Sequence, residues 1–512
     1  MKRTNKYRIA RAFATSLLVF LLFGAGTIEA RDYESVRTVA RTADLTDGRL
    51  EIDHRFGSLD IRTHEKQTVV VNARIEVSLS SNQQDADRLV KEIDVIVERS
   101  GSGVRIRSRY PESNDDTWFR KLFSINQSRN ISYSVTLDVV MPRHIRLESS
   151  NRFGKTHVNG LGADSHLVNR NGDLALENSR GAHRLENSFG RIEIRNNAGN
   201  LEVVGANGSV DVHEIDGDVS LRNRFGAIEL EGLTGSAEID ASNCTVAIED
   251  IGGSVRAKNS FGAVSAKNVR QDLTIDNSNG SVTAVDVKGS VSLGTSFSRV
   301  YFRNVAKNVT VRSTNSSVEG RDVGGRLDIQ NTFNKVVVEK VDGSASISNR
   351  NGSVTLKEVG GDADLSGGFS LITTENIRGS LTVENSNGAV RATNTGNAVS
   401  VETSFAPIFI KGVGGAVRAV NRNGSITLEQ LQSKSECQPV ELAASFGTIQ
   451  ASLPESAPYD LDAQTSFGQI DVDFPVTVSG GIGRDRLRGT IGAGGCRLEI
   501  RNQNGNVKIR KQ

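Results

Sequence analysis

Apolar residues recur along the middle of this chain at an interval that hardly slips from Arg152 to about Leu428. Phenylalanine stands at Phe153, Phe189, Phe225, Phe261, Phe297, Phe333, Phe369 and Phe405, 36 residues apart. Asparagine stands midway, at Asn171, Asn207, Asn243, Asn279, Asn315, Asn351, Asn387 and Asn423, so the repeating unit is 18 residues. Taking the Phe or Asn as position zero, aliphatic residues recur three, five, eight, twelve and fourteen places later, as Val210, Val212, Ile215, Val219 and Leu221 do after Asn207. Apolar residues two apart mark a strand buried on one face, and no helical period competes. Each unit therefore holds two short strands, separated by turns with glycine one and ten places after zero, as at Gly190 and Gly199.

Two short strands cannot bury their own apolar face, so the units must stack, each coil hydrogen-bonding to the next. The expected fold is all-β, a right-handed parallel β-helix of 18-residue coils. A left-handed hexapeptide helix would want an aliphatic every six places, whereas two places after zero stand Arg191, Ser209 and Ser281. Fifteen intervals of 18 from Phe153 to Asn423 give a rod roughly 70 Å long at about 4.8 Å per coil.

Two places before zero lies a small polar residue of interior parity: Asn223, Asn259, Asn277, Asn331, Asn349, Asn385 and Asn421, with Thr295, Ser313 and Thr403 as substitutes. Stacked at one corner, these predict an asparagine ladder whose amides bond to one another and to the turns. The phenylalanines share that parity, so each ring is expected to fill a corner of the core. The rival arrangement is an outward aromatic stripe, one ring every two coils, suited to stacking on sugars.

Outside the repeats the pattern changes. Residues 31–147 are expected to form a small α+β or β-sandwich cap covering the open first coil, with an RFG motif at Arg55, Phe56 and Gly57, a helix starting near Ser81 or Asn82, and a hairpin turning at Ser100 to Gly103. The repeats fill 148–432, and 433–512 reads as irregular C-terminal coils and a cap, with Phe446 and Phe467 repeating the SFG motif and prolines at 439, 454, 458 and 475. Residues 1–30 read as a secretory signal, with Lys2, Arg3, Lys6, Arg8 and Arg11 before an apolar run from Ala12 to Phe23; an uncleaved anchor is the alternative. Without that segment the net charge falls from +2 to −2, because five basic groups and Glu29 leave with it, and nucleic acid is not an expected partner. Of the three cysteines, Cys244 occupies a glycine slot, while Cys437 and Cys496 can pair in an oxidising compartment or remain thiols. The segment from Trp118 to Phe123 mixes aromatic and basic residues, so it either folds back on the cap or touches a membrane surface or partner.

The alternation of NSFG with NRNG or NSNG, the GG or DG turns, the VTLDVVMP strand at Val135 to Pro142 and the closing NGNVKIR from Asn504 resemble the DUF4097 family of β-strand repeat proteins, often labelled adhesins. The resemblance covers roughly residues 50 to 510. It implies an exported bacterial envelope protein, in the periplasm, the outer envelope or secreted, and transfers no catalytic residue.

The repeats themselves argue for a structural, adhesive or scaffold role without catalysis. Polysaccharide lyases and hydrolases on β-helices plant carboxylates beside a local break in the repeat, and no coil between Phe153 and Asn423 breaks. His157, His166, His183 and His213 fall in the first coils, and His183 takes an interior column, but isolated histidines there read as packed or hydrogen-bonded residues rather than metal ligands. No phosphate loop opens a helix, so no cofactor or metal is expected. The partner is then an envelope polysaccharide or another envelope protein; the alternatives are a glycan-processing enzyme and a protein-binding module of the envelope.

Overall fold

The computed structural model describes residues 32–111, 131–432, 438–456, 458–479 and 485–512. The chain is a β-solenoid of about 16 turns with parallel stacked strands. Each turn contributes one strand to each of two facing sheets. In one sheet Ile192–Ala198 lies between Leu174–Arg180 and Val210–Asp216, pairing Ile192 with Leu174 and Val210. In the other, His183–Phe189 lies between Ser165–Asn171 and Leu201–Asn207. From Arg146–Phe153 to Ile426–Leu431 successive coils pair with an offset of 18, so like positions stack into columns along the rod. The core is the thin layer between the sheets, filled by columns such as Val210, Ile228 and Val246.

The aliphatic positions at three, five and eight need explanation, because the step from five to eight is odd and a regular strand would turn the eighth residue outward. The residue seven after zero absorbs the difference by adopting a left-handed conformation, with φ 53° at Asn196, 56° at Asn268 and 57° at Asn394. Asparagine and aspartate tolerate this region best, and they hold the position in nine of sixteen coils. Their side chains link coil to coil on the outer surface: Asn196 Nδ2 donates to Asn178 Oδ1 at 2.8 Å, Asn268 Nδ2 to Asp250 Oδ1 at 2.8 Å and Asn394 Nδ2 to Asn376 Oδ1 at 3.1 Å. Eleven places after zero a second column caps backbone donors of the next coil, as Asp218 Oδ1 does for Ser236 N at 2.7 Å. At Gly190, one place after zero, glycine is required by close approach as well as by φ, whereas Cys244, Ser298 and Asn334 hold the same place in other coils. A Cβ on Gly190, at φ 114°, would sit 2.4 Å from the carbonyl oxygen of Gly172.

At the N-terminal end Arg49–Phe56 and Leu59–His64 form a coil that stacks in register on Arg146–Phe153 and Thr156–Asn159, with Phe56 opposite Phe153. The chain then leaves the stack and returns to cover it with Ile131–Pro142 and Gly103–Arg109, which carry antiparallel neighbours of their own: Thr68–Leu79 and then Tyr33–Asp44 on the first, and the hairpin arm Asp94–Ser100 on the second. The helix Gln83–Glu92 buries Ala86, Leu89 and Val90, and Asn82 caps it by accepting from Asp85 N at 2.8 Å. The first coil is thus covered by parallel strands, Gly103–Arg109 on Arg49–Phe56 and Ile131–Pro142 on Leu59–His64, and the antiparallel strands beyond them end the parallel stacking.

At the C-terminal end the order in space departs from the order in sequence. Cys496–Asn504 pairs with Val440–Phe446 on one side and with Tyr459–Phe467 on the other, while Val507–Lys511 lies between Ile449–Leu453 and Ile470–Val472. The last coil of the sequence is thus inserted beneath an earlier one, and Arg486–Ile491 then caps the stack as an antiparallel strand on Tyr459–Phe467.

Candidate functional site

The expectation that the phenylalanine rings fill the core is overturned. Phe153, Phe189, Phe225, Phe261, Phe297, Phe333, Phe369 and Phe405 all face outward, between 44% and 66% exposed, and Phe446 and Phe467 continue the row. The cause lies in the corner itself. The backbone carbonyl at position zero points inward, where the polar side chain two places earlier binds it: Asn259 Nδ2 donates to Phe261 O at 2.8 Å, and Thr295 Oγ1 to Phe297 O at 2.9 Å. That amide or hydroxyl fills the corner, and the ring, attached to the same residue, is left outside.

The asparagine column is buried, from 0% exposed at Asn277 and Asn349 to 6% at Asn331. Its amides serve the turns more than one another. Each Nδ2 reaches a turn carbonyl of the coil beneath: Asn223 to Gly208 at 3.0 Å, Asn277 to Gly262 at 2.8 Å, Asn349 to Asn334 at 2.8 Å, Asn385 to Ser370 at 3.0 Å and Asn421 to Ala406 at 2.8 Å. A direct amide contact joins Asn331 Nδ2 to Asn349 Oδ1 at 3.4 Å, and Ser313 Oγ donates to Asn331 Oδ1 at 2.9 Å. The column therefore closes the corner and carries no surface for a ligand.

Phenylalanine alternates with asparagine along the stripe, Phe261 opposite Asn279 and Asn279 opposite Phe297. The amide of Asn171 holds Arg152 O at 3.1 Å and that of Asn207 holds Ser188 O at 3.3 Å, so the stripe sits on a surface fixed by hydrogen bonds. At its N-terminal end Phe56 stacks on Phe153 with centroids 5.3 Å apart and meets Tyr110 and Tyr133 edge-on. Because the rings are outside, substituting Phe261 with Ala should change stability by less than about 1 kcal/mol, against about 3 to 5 for a buried ring. Urea unfolding of that variant measures the difference.

Beside the stripe, on the same outer face, the coils from Thr274 to Arg350 are hollowed into a trough of about 790 Å³. Short side chains open it, Thr274, Ser278, Ser292, Gly294 and Ser296 in one half and Thr314, Thr332 and Ser348 in the other, with Asp276, Arg312, Gln330 and Arg350 also on its walls. In the same outward columns the earlier coils carry Arg184, Glu202, Glu238 and Arg256. Neither the trough nor the left-handed column was anticipated from the sequence; the signal for both was the residue type at single outward positions, column by column.

The four histidines of the first coils do not converge. His157 Nδ1 lies 3.1 Å from Asp60 Oδ2, His166 Nε2 3.0 Å from Glu186 Oε1, His213 Nδ1 3.2 Å from Glu231 Oε2 and His183 Nδ1 2.8 Å from Ser165 Oγ. Among the described residues no group of three or more His, Cys, Asp or Glu is placed to hold a metal ion. Burial pushes the imidazoles of His183 and of His54, which bonds Ser108 Oγ at 2.7 Å, down to about 4. The unfolded chain takes up these protons below about pH 6.5 while the folded chain refuses them, so stability falls as pH drops through that window. A loss of about 1.5 kcal/mol per histidine is expected between about pH 6.5 and about pH 5. Replacing the pair together, Ser165→Val with His183→Leu, should remove one share of that slope in chemical denaturation run at both pH values.

Cys244 is free and buried, and Cys496 is disulfide-bonded; Cys437 lies outside the described residues. So do the segment from Trp118 to Phe123 and residues 1–30. Among the described residues no helix is long and apolar enough to cross a membrane.

The family model described as Toastrack DUF4097 matches residues 234–510, more than half of the chain. No curated protein matches. Among solved structures, a "putative cell adhesion protein" from Clostridium sporogenes is 8% identical, with 93% of this chain and 100% of that one covered at a TM-score of 0.14. A "putative lipid binding protein" from Parabacteroides distasonis is 10% identical over 64% and 96% of the two chains, at 0.18. A "putative adhesin" from the same species is 10% identical over 75% and 97%, at 0.15. Likeness at that level carries no functional information.

Proposed function

This chain belongs to the Toastrack DUF4097 family, and from that premise we propose that it is an exported envelope protein acting as a non-catalytic adhesive scaffold, holding its partner through many similar contacts along the rod. One observation carries the reading: the outward phenylalanine row, repeated every two coils from Phe153 to Phe405. A soluble protein rarely leaves large apolar side chains in a regular file unless something covers them, and a file with a fixed step suits a repetitive partner. Cys496 in a disulfide fits an oxidising compartment, and pairing with Cys437 is the proposed arrangement. Residues 1–30 are proposed as the export signal.

The enzymatic alternative draws little support from the surface. Several outward carboxylates are paired with cations of a neighbouring coil, as Asp322 with Lys340 at 2.8 Å and Glu375 with Lys357 at 2.8 Å, and such exposed pairs add little to stability. The test uses envelope polysaccharide as immobilised ligand and as substrate. Variants shortened by one, two and three whole 36-residue units, beginning with residues 226–261, should lose avidity in steps, with no cleavage by any of them. Cleavage abolished by one carboxylate substitution, with the shortened proteins binding as well as the full chain, overturns the reading.

A further inference from the structure

The stripe borders the trough, since Phe297 and Phe333 directly follow its lining residues Ser296 and Thr332, and on that basis we propose that residues 274–350 form the seat of an extended, uncharged glycan strand, laid along the rod with its sugar rings on Phe297 and Phe333. This rests on the scaffold reading above and names the chemistry of its ligand.

Three features point to that class. Phenylalanine recurs every second coil, about 9.6 Å at 4.8 Å per coil, which is close to one disaccharide of an extended β-1,4-linked glycan. In such a chain alternate sugars are flipped, so the same apolar sugar face returns once per disaccharide, in step with the rings. Between the rings stand amides, Asn279 and Asn315, and beside them runs an unbroken column of hydroxyls, Ser278, Ser296, Thr314 and Thr332. Hydroxyls and amides both donate and accept, which is what a sugar edge requires. Finally, the charges in the outward columns of this stretch cancel in sum: Asp276, Arg312 and Arg350 line the trough, and Asp328 stands in the same columns just outside it. An acidic polymer would want a basic excess and a cationic one an acidic excess, so the strand that fits is neutral.

The opposite arrangement, a second copy of the rod seated stripe to stripe, would need no hollow, whereas Gly294 and its serine neighbours open one beside the rings. Gly294 also offers a substitution that fills the trough without disturbing the fold. Its backbone is not left-handed, and a Cβ there meets only the side-chain oxygen of Asp276, at 3.3 Å, as a close neighbour.

The probe is a ladder of neutral N-acetylglucosamine oligomers, two to eight units long, titrated calorimetrically into the full chain. Affinity should rise about tenfold for each added disaccharide until the seat is full, since each covers one more ring. Phe297→Ala with Phe333→Ala should lower octamer affinity roughly a hundredfold, and Gly294→Arg should lower it as far while leaving the melting temperature in place. The proposal is overturned if the octamer fails to bind, or if it binds the Gly294→Arg chain unchanged. It is also overturned if the phenylalanine variants alter sedimentation rather than sugar affinity, for the stripe would then seat a second copy. Failure of this kind leaves the stepwise avidity of the shortened rods untouched, so the scaffold reading stands or falls separately.

Discussion

Replacing Phe302 with alanine is expected to cost about 3 to 5 kcal/mol, and restoring bulk at Gly320 in the same chain to return at least half of it. Phe302 is the largest side chain fully enclosed in the core, in the column five places after zero where most coils carry an aliphatic residue. The column makes room for it with small neighbours. Ala284 pairs with it on one side and Gly320 on the other, and Val338 resumes the pattern beyond. The fit to Gly320 is tight enough that a Cβ added there would lie 2.0 Å from the ring. Gly320→Val alone therefore drives a side chain into the ring and should destabilise as severely as the truncation. Phe302→Ala with Gly320→Val spreads the volume as the other coils do. Urea unfolding of the two single variants and the double gives the coupling. Simple additivity of the two losses would show that the ring does not rest on Gly320.

Phe302 also marks how far the sequence can be read. It breaks an aliphatic column and is followed 18 residues later by a glycine, so the compensation is visible in the letters once the columns are aligned. The strands, the stacking and the 18-residue register were equally legible, because burial on one face imposes alternation and stacking imposes the period. The direction of the phenylalanine rings was not. Alternation assigns faces only while the backbone remains regularly pleated, and at the end of Val255–Phe261 the ladder skips Ser260 before the chain turns. Gly262 has φ 105°, and the carbonyl of Phe261 is turned in toward Asn259. The same limit hid the bulge at position seven, although the odd step from five to eight required one and Asn or Asp marked it. The trough was hidden for a different reason: it arises from what is small or missing on an outer face, and periodicity records only what is large and buried.

Deleting residues 496–512 should have the largest effect of any short truncation, because the final coil is inserted within the stack and does more than end it. Leu498, Ile500, Val507 and Ile509 are wholly buried, and at about 1.5 to 3 kcal/mol for each enclosed aliphatic their loss alone amounts to roughly 6 to 12 kcal/mol. The backbone ladders vanish on both sides as well. Val440–Phe446 loses its partner above, and Tyr459–Phe467 loses its parallel partner below. Residues 458–491 would then have no parallel strand to stand on, while Val440–Phe446 and Ile449–Leu453 would become an open edge. Hydrogen exchange should show 458–491 unprotected in the truncated chain, with coils before Val399 protected as in the full protein, since a stacked coil feels chiefly its neighbours. The open edge should also pair between molecules, giving concentration-dependent assemblies in sedimentation. A synthetic peptide of residues 494–512, added to the truncated chain, should fill the slot by strand addition and restore protection to 458–491. If the truncated chain retained that protection without the peptide, the insertion of the last coil between two earlier ones would be wrong.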